Sequence, residues 1–289
     1  MYIGVQALRP SDIRKFTTKH AKKHKDFGFQ GIEARFLNPE DIILDDLKKL
    51  KEILDSYDLK TGQINGTYND LVLDNEELRK IGIKTFGLLC QFGRFLETDT
   101  VYVRPGSLSP DGSWFAHEKN RSVEVENRLI QSLKEVCRQA ESFGVNLALE
   151  GHMLSPLYSA KQIKRVIESV GSPVLGFNMD PVNFIGTLEE AFDPTSVVNE
   201  LFDELGPYIV GAHFKDYKID NKLVFHVEET VLGSGLMDQV TYLKRFNEIC
   251  SDKFLLIEHL DDIDVPDAKK YLDKIALELN IKWENSEGE

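Results

Sequence analysis

The chain has 289 residues, 42% of them hydrophobic and 29% charged, and a formal net charge of −13. This composition is typical of a globular protein with a large core. The acidic balance and the dispersed basic residues disfavour nucleic acid as a partner. The N-terminus has no basic segment ahead of a long apolar one, and nowhere do about 18 apolar residues follow one another. We therefore expect no membrane partner and a cytoplasmic location.

The three cysteines, Cys90, Cys137 and Cys250, are far apart and odd in number. Each lies in a segment with helical periodicity, and none belongs to a Cys-x-x-Cys pair or lies near a histidine pattern typical of metal sites. We predict that all three are buried, reduced thiols.

Eight apolar segments with strand character alternate with eight segments of helical periodicity. The predicted strands lie at residues 3–8, 31–36, 61–67, 100–105, 145–150, 174–180, 209–215 and 254–259. The predicted helices lie at residues 11–27, 41–57, 76–96, 118–143, 159–170, 188–205, 237–250 and 266–279. Ser11 and Ser159 are placed to cap the first and fifth helices.

This alternation predicts an α/β fold. Strands separated by helices of this length indicate parallel βαβ units, and eight of each indicate closure into a (β/α)8 TIM barrel. We assign residues 1–282 to this single domain. Residues 283–289 are acidic and lack a periodic apolar face, so we predict a disordered tail there.

Two predicted loops after strands are longer than usual, at residues 106–117 and 220–235. Long loops at the mouth of a barrel are candidate lids or walls that determine specificity. The second loop ends in Gly233-Ser-Gly235, just before a helix, where barrels often bind phosphate through backbone N–H groups. A tight turn without a ligand accounts for the same residues, so both alternatives stay open.

Four apolar runs in the second half of the chain each end in a residue that can bind a metal: Glu150, Asp180, His213 and Glu258. The carboxyl ends of all strands in a parallel barrel open on one mouth, so these side chains can converge. Oxygen donors with one imidazole suit a single divalent ion, Mn²⁺ first, with Mg²⁺, Co²⁺ or Zn²⁺ compatible. The alternative is that the acidic residues cap helices and the histidine is a core residue. Regular spacing over consecutive strands favours the metal site.

Further polar residues share a strand face with these ligands, because side chains two apart point the same way. His152 follows the first ligand in this way, and Lys215 follows the third. We predict substrate contacts for both, with a capping role for His152 and an ion pair between Lys215 and Asp216 as alternatives. Arg104 and Glu33 are also predicted to face inward and bind substrate, with support of the metal ligands as the alternative. An inward arginine needs an acidic partner, which Glu33 or a metal-bound carboxylate would supply.

At these residues the chain resembles the xylose isomerase-like TIM barrels, a superfamily of sugar isomerases, sugar epimerases and the endonucleases of AP endonuclease family 2. The resemblance spans nearly the whole chain. Its marks are Gly31-Ile-Glu33, Leu149-Glu150, Met179-Asp180, Ala212-His213-Phe-Lys-Asp216, Gly233-Ser-Gly235 with Asp238, and Ile257-Glu258. These marks are more specific for the superfamily than for a substrate.

In the ketose 3-epimerase branch, the matching Glu, Asp, His and Glu bind one divalent ion, and the two glutamates move the proton. The resemblance therefore implies that Glu150 and Glu258 are both metal ligands and catalytic groups. Those epimerases often have a substrate-binding histidine three residues after the metal aspartate, where this chain has Asn183, which can still donate a hydrogen bond. The endonuclease branch has a trinuclear zinc site rich in histidine. Arg104 and Asn183 stand at two of its histidine positions, so we do not expect that cluster here.

These observations predict a metal-dependent sugar isomerase or epimerase that acts through an enediolate on a small keto sugar or polyol-derived substrate. Two alternatives stay open: a dehydratase of a keto-cyclitol or a dehydroshikimate-like acid, and a non-catalytic barrel that binds a metabolite. Similar barrels are commonly homodimers or homotetramers, and the sequence is compatible with either assembly.

Overall fold

Eight parallel strands close into a barrel in the computed structural model, which describes residues 1–284. The barrel strands are β1 (Tyr2–Val5), β2 (Gly31–Phe36), β3 (Lys60–Gly66), β4 (Thr100–Val103), β5 (Asn146–Leu149), β6 (Leu175–Met179), β7 (Ile209–Phe214) and β10 (Phe254–Ile257). Two further strands, β8 (Asp216–Ile219) and β9 (Val227–Thr230), form an antiparallel hairpin. Barrel neighbours follow chain order, and the first strand pairs with both the second and the last. The predicted (β/α)8 architecture is confirmed.

Helices follow the barrel strands and surround them. The α-helices are α1 (Thr18–Asp26), α2 (Leu44–Ser56), α3 (Glu76–Leu96), α4 (Val123–Phe143), α5 (Ala160–Val170), α6 (Leu188–Phe192), α7 (Pro194–Leu205), α8 (Gln239–Cys250) and α9 (Val265–Glu278). Short 3₁₀ helices lie at Ile13–Lys15, Pro39–Asp41, Pro181–Phe184 and Gly206–Tyr208.

Two helices differ from their predictions because a 3₁₀ turn or a proline interrupts the regular α-helix. The first begins only after a 3₁₀ turn, so that Thr17 rather than Ser11 is its N-cap residue. The helix predicted at residues 188–205 is divided at Pro194, which lacks an N–H group and has a fixed φ angle. Ser159 caps α5 as predicted.

The ring of Phe254 fills the amino-terminal end of the barrel, where it packs against β2 and β3. A Cβ atom at Gly31 would lie 2.4 Å from this ring, and one at Gly62 would lie 2.7 Å from it. Any larger residue at these two positions would displace the ring from a closely packed interior. Packing at this end leaves the carboxyl ends of the strands as the place for the main cavity.

Tyr242 of α8 ties together the two strands that carry the central part of the candidate site. Its side chain is fully buried, and its hydroxyl lies 2.6 Å from the carbonyl oxygen of Met179 and 3.0 Å from that of His213. These carbonyls belong to the ends of β6 and β7. A residue on an outer helix therefore helps to set the spacing of two strand ends at the mouth.

The long loop predicted at residues 220–235 is partly folded as strand β9, and Asp216 organises its end. The carboxylate of Asp216 accepts hydrogen bonds from the N–H groups of Gly233 (2.9 Å), Gly235 (2.9 Å) and Met237 (3.0 Å). The protein's own carboxylate thus binds the N–H groups that a phosphate would need. The turn alternative for this motif is correct, and the phosphate alternative is wrong.

The C-terminal residues within the described range pack on the barrel. Trp283 donates a hydrogen bond from Nε1 to Asp273 Oδ1 (2.8 Å), and the N–H group of Glu284 donates to the Met1 carbonyl (2.8 Å). The tail predicted at residues 283–289 therefore begins with two residues in contact with the domain. Its remaining residues, 285–289, lie outside the described part of the chain, and the division into domain and tail stays a prediction.

All three cysteines are buried and free, as predicted. No helix within residues 1–284 is long and apolar enough to cross a membrane. The cytoplasmic location stays a prediction.

One buried histidine couples the stability of the fold to pH. His24 of α1 is fully buried between the rings of Phe16 and Phe29. Its Nδ1 lies 2.8 Å from the His20 carbonyl, whereas Nε2 has no hydrogen-bond partner among the described residues. Burial lowers the pKa of His24 to about 4. The folded protein therefore holds this ring in its neutral form.

We expect acid to destabilise the protein through this residue. The unfolded chain has an ordinary histidine pKa of about 6.5 and binds a proton first, so stability falls as the pH drops from about 6.5 towards 4, by up to about 3 kcal/mol. A His24→Phe variant should lose this part of the pH dependence. Thermal denaturation of both proteins between pH 8 and pH 4.5 measures the difference. Parallel curves of the unfolding midpoint against pH would contradict the assignment.

Candidate metal and substrate site

Four side chains converge at the carboxyl ends of four barrel strands. Glu150, Asp180 and Glu258 directly follow β5, β6 and β10, and His213 lies near the end of β7. Ligand atoms of Glu150, Asp180 and His213 all lie within 4.8 Å of one another. His213 Nδ1 is 3.0 Å from Glu150 Oε2, 3.1 Å from Glu258 Oε2 and 3.9 Å from Asp180 Oδ2. The fold thus brings the other three predicted ligands within 4 Å of one nitrogen of His213.

Several buried polar atoms of this cluster have no hydrogen-bond partner within residues 1–284. They are His213 Nδ1, Glu258 Oε2 and both carboxylate oxygens of Asp180. The short distances around His213 Nδ1 are therefore contacts without hydrogen-bond alignment. Buried polar atoms normally have partners, so each exception needs an explanation. Carboxylate oxygens and an imidazole nitrogen directed at one another form a donor set that fits a divalent cation.

Lys215 is the cation nearest to these carboxylates. Its Nζ lies 2.8 Å from Asp180 Oδ2 and 3.1 Å from Glu258 Oε2, and it donates a hydrogen bond to Asn183 Oδ1 (3.0 Å). Its predicted alternative partner, Asp216, instead binds the loop that ends in Gly235. Two buried carboxylates share this lysine and Glu150 lies beside Asp180, and burying unbalanced charge is costly. The cluster therefore attracts further positive charge.

The pKa values in the cluster follow from this arrangement. Burial raises the pKa of Asp180 to about 7, against the opposing effect of Lys215. Burial by itself would lower the pKa of His213, but the carboxylates of Glu258 and Glu150 raise it well above its usual value. Burial opposes ionisation of Glu258 as well, yet His213 and Lys215 hold its pKa well below the usual range. Glu258 is therefore ionised at neutral pH.

Two side-chain amides, those of Gln63 and Asn178, connect His213 to Glu150 and fix the orientation of the imidazole. His213 Nε2 donates to Gln63 Oε1 (2.8 Å), and Gln63 Nε2 donates to Asn178 Oδ1 (3.1 Å). Asn178 Nδ2 in turn donates to Glu150 Oε2 (2.7 Å). Because Nε2 carries the proton of this hydrogen bond, Nδ1 is the ring nitrogen that faces the carboxylates. The same chain of amides sets the position of Glu150.

Glu150 and Glu258 differ in their hydrogen bonds. Glu150 Oε1 accepts from the Tyr102 hydroxyl (2.9 Å) and from Asn183 Nδ2 (3.1 Å), in addition to the amide on Oε2. Glu258 Oε1 accepts from Gln6 Nε2 (2.7 Å), while Oε2 has no hydrogen-bond partner in the described chain. Glu150 is therefore held by three donors, and Glu258 has one oxygen available for a ligand.

A cavity of about 900 Å³ lies above this cluster. Glu150 and Glu258 line it, as do three of the residues predicted to bind substrate: His152, Asn183 and Lys215. The ring of His152 contacts that of Trp114 at an interplanar angle of 44°, and burial lowers the pKa of His152 to about 4. Its Nε2 has no hydrogen-bond partner within residues 1–284. The Leu154 N–H donates to Nδ1 (3.2 Å), so the neutral, buried ring carries its proton on Nε2 and can donate a hydrogen bond to a ligand.

The remaining two predicted substrate residues are bound to the protein itself. Arg104 lines the cavity, but its guanidinium donates to Ser113 Oγ (3.1 Å) and to the Gly66 carbonyl (3.0 Å). Its acidic partner is Asp70, at 3.4 Å, and the prediction that Glu33 or a metal-bound carboxylate would pair with it is wrong. Glu33 is fully buried, where it pairs with Arg9 and accepts hydrogen bonds from two side-chain amides.

Three residues that organise the site were not predicted from the sequence. Tyr102 lies two residues before Arg104, and Asn178 lies two before Asp180, so alternation along the strands would have found both. Gln63 lies in the middle of β3, where no local pattern distinguishes an inward amide.

The hairpin contributes two further contacts that no sequence pattern predicts. Glu229 of β9 contacts Lys215 Nζ at 3.4 Å and His259 Nδ1 at 2.7 Å. His259 follows Glu258 and has a positive φ of 53°, which is uncommon for a residue with a side chain. These contacts hold the hairpin against the mouth of the barrel.

Three solved structures similar to this chain are distant from it in sequence. A D-tagatose 3-epimerase-like protein is 21% identical, with a TM-score of 0.76, 97% of this chain covered and 98% of that one. A xylose isomerase-like TIM barrel protein from Mycobacterium smegmatis in complex with magnesium is 15% identical, with a TM-score of 0.75, at 96% and 97% coverage. A 3-keto-D-glucoside 4-epimerase from E. coli is 16% identical, with a TM-score of 0.72, at 95% and 99% coverage. At identities this low, the structural similarity establishes only that the folds are alike.

A sequence search of curated proteins finds no match to the chain. The model of one protein family does match, over residues 21–277, and its description is xylose isomerase-like TIM barrel. This match covers most of the chain and confirms the resemblance drawn from the strand-end residues. The chain belongs to the xylose isomerase-like TIM barrel family.

Proposed function

We propose that this protein is a metal-dependent sugar isomerase or epimerase that moves a proton next to a carbonyl through an enediolate. The observation that carries the proposal is the placement of two carboxylates, Glu150 and Glu258, each about 3 Å from the same nitrogen of His213 and both lining one cavity. Similar structures include proteins whose names are a D-tagatose 3-epimerase-like protein and a 3-keto-D-glucoside 4-epimerase. The substrate is a small carbohydrate with a carbonyl group.

Four residues would hold one divalent cation: Glu150, Asp180, His213 and Glu258. The fit rests on the buried atoms that lack hydrogen-bond partners in residues 1–284, among them His213 Nδ1 and Glu258 Oε2. A donor set of carboxylates with one imidazole suits Mn²⁺, which is our choice, as well as Mg²⁺, Co²⁺ or Zn²⁺. A cation bound there would draw electrons from the substrate carbonyl and make the neighbouring C–H group more acidic.

Glu150 and Glu258 would exchange the proton with the substrate. Glu258 is ionised and has one oxygen free of hydrogen bonds in the described chain, so it is suited to accept a proton from carbon. Glu150 is held in place by Tyr102, Asn178 and Asn183 and is suited to return a proton or to take one from a hydroxyl group. The two carboxylates would act from different strands and so from different sides of the substrate.

Three other side chains would orient substrate hydroxyl groups. Lys215 and Asn183 are hydrogen-bonded to each other at the cavity wall and can share a hydroxyl between them. His152 Nε2 can donate a hydrogen bond to a hydroxyl oxygen, because Nδ1 of the neutral ring accepts from the Leu154 N–H. Proton transfer depends on the placement of the carbon acid against the base, so these contacts contribute to the rate.

The metal site predicts one bound divalent ion per chain. Asp180→Asn should lose that ion, because it replaces one of the three charged carboxylate ligands with a neutral amide. Mn²⁺ should raise the unfolding free energy of the wild type by about 2.7 kcal/mol at one hundred times Kd, and that of the variant far less. Metal analysis and thermal denaturation measure both effects.

The control for this test is Asp220→Asn. Asp220 belongs to a second group of possible ligands, with His226 and Glu228, on the surface of the hairpin region. This variant should still bind one equivalent of Mn²⁺. Equal affinity in the wild type and in Asp180→Asn, or loss of the ion in Asp220→Asn, would show that the site has been misplaced.

The hydrogen bond between His213 and Gln63 predicts that Gln63 strengthens metal binding without touching the ion. Gln63→Leu removes the acceptor for His213 Nε2 and should weaken Mn²⁺ binding about 10- to 100-fold, as loss of a hydrogen bond to a metal-bound histidine typically does. Thr100→Val is the control, since Thr100 Oγ1 contacts the same glutamine at 3.3 Å but not the histidine. Calorimetric titration measures the affinities, and equal values for both variants would contradict this role.

The proposed reaction predicts exchange of a substrate proton with solvent. The Mn²⁺-loaded protein, incubated in D₂O with a panel of ketoses, inososes and keto sugars, should incorporate deuterium next to the carbonyl of a substrate. Glu150→Gln and Glu258→Gln should each reduce this rate by about 100-fold or more, because each removes a proton-transferring group. Mass spectrometry and NMR of the products measure the exchange.

Glu228→Gln is the matched control, because this glutamate lies on the same hairpin as the mouth residue Glu229 but does not line the cavity. It should exchange at the wild-type rate. Undiminished exchange in both active-site variants would disprove the mechanism. A product that has lost one water would identify a dehydratase instead.

A further inference from the structure

The outer wall of the cavity is apolar and exposed, in contrast to its polar floor. Trp114, Leu154 and Phe225 line the cavity with 42%, 51% and 36% of their surface exposed. On the floor, Glu150 and Lys215 are only 2% and 5% exposed. Large apolar side chains that line a cavity and face solvent usually mark a surface that a ligand covers. The floor and the outer wall therefore suit different parts of one ligand.

Trp114 is held in its exposed position by the loop that carries it. The preceding residue, Ser113, donates a hydrogen bond to Asp70 Oδ1 (2.6 Å) and accepts one from Arg104 Nε (3.1 Å). The indole ring packs against the His152 ring, with 4.8 Å between the ring centroids. A large aromatic side chain fixed in this way loses little conformational freedom when it binds a ligand.

The loops that follow β4 and β5 form one continuous wall. Asn120 Nδ2 donates to the carbonyl of Leu154 (3.0 Å), and the guanidinium of Arg121 donates to the carbonyl of Met153. Phe225 reaches the same cavity from the hairpin, which the ion pair between Glu229 and His259 holds against the mouth. Three segments of the chain thus present apolar groups to one space.

The size of the cavity agrees with a ligand larger than a single sugar. Its volume of about 900 Å³ lies near the upper end of the range, about 300–1,000 Å³, that is usual for ligands of drug size. A sugar ring placed at Glu150 and Glu258 would reach His152, which lies two residues from Glu150. Trp114 contacts the His152 ring but is 42% exposed, against 8% for His152, so it lies nearer to the solvent than the floor does. The group that covers Trp114 is therefore a substituent of the sugar.

We infer that the substrate is a keto sugar glycoside with an aromatic aglycone, and that Trp114 is the residue that determines this specificity by stacking on the aglycone. An indole face prefers an aromatic partner in an offset or edge-on arrangement. The sugar carbonyl then lies at the floor, within reach of both glutamates. This inference rests on the proposed function for the position of the sugar, and its test separates the two.

Two synthetic probes with the same sugar test the inference: 4-nitrophenyl and methyl 3-keto-β-D-glucopyranoside. Calorimetric titration of the Mn²⁺-loaded protein should show at least about tenfold tighter binding of the nitrophenyl glycoside, because the ring buries apolar area on the outer wall. Trp114→Ala should reduce this preference to about threefold or less, and Trp114→Phe should restore part of it.

Phe115→Ala is the matched control. Phe115 is the next residue on the same loop, is 54% exposed and does not line the cavity. This variant should keep the wild-type preference. Equal binding of the two glycosides by the wild type, binding of neither, or an equal loss of preference in the Trp114 and Phe115 variants would overturn the inference.

Deuterium exchange into the same two glycosides distinguishes this inference from the proposed function. If the protein prefers the nitrophenyl glycoside but exchanges no proton of it or of any keto sugar, the aglycone site is supported and the proposed isomerase function is overturned. Exchange into both glycosides with equal efficiency and equal binding would keep the isomerase and overturn the aglycone site.

Discussion

The mutual repulsion of three buried carboxylates is the constraint on which this site depends. Glu150, Asp180 and Glu258 lie together in an interior where charge is poorly screened, and Lys215 and His213 offset that charge only in part. Such an arrangement is costly unless a cation is shared among the carboxylates. Glu258 stays ionised among these carboxylates because His213 and Lys215 hold its pKa well below the usual range.

The rest of the barrel works to keep these groups at contact distance. The Tyr242 hydroxyl is hydrogen-bonded to carbonyls at the ends of β6 and β7. The amides of Gln63 and Asn178 are hydrogen-bonded to His213 and Glu150. These contacts come from an outer helix and from strands on other sides of the barrel. The geometry of the cluster is therefore a property of the closed barrel, and no isolated βα unit would reproduce it.

The loops above the site determine what else the cavity can bind. The loop after β4 is fixed by the contacts of Ser113 and Asp70, and the hairpin is fixed by Glu229. Asp216 binds the backbone N–H groups at the end of the hairpin region, which removes an anion site that the glycines suggested. The mouth thus combines a charged floor, suited to chemistry next to a carbonyl, with an apolar wall suited to recognition.

The sequence by itself determined the architecture and the identity of the clustered side chains. Strand and helix periodicities are local, and parallel closure sends every strand end to the same mouth, so Glu150, Asp180, His213 and Glu258 could be grouped without coordinates. Only the tertiary structure decided the partners: Asp70 rather than Glu33 for Arg104, and Asp180 rather than Asp216 for Lys215. Gln63 and Glu229 also entered the site only through the fold. Such pairs join segments that are distant in the chain, and their choice depends on loop paths and side-chain packing, which local periodicity does not encode.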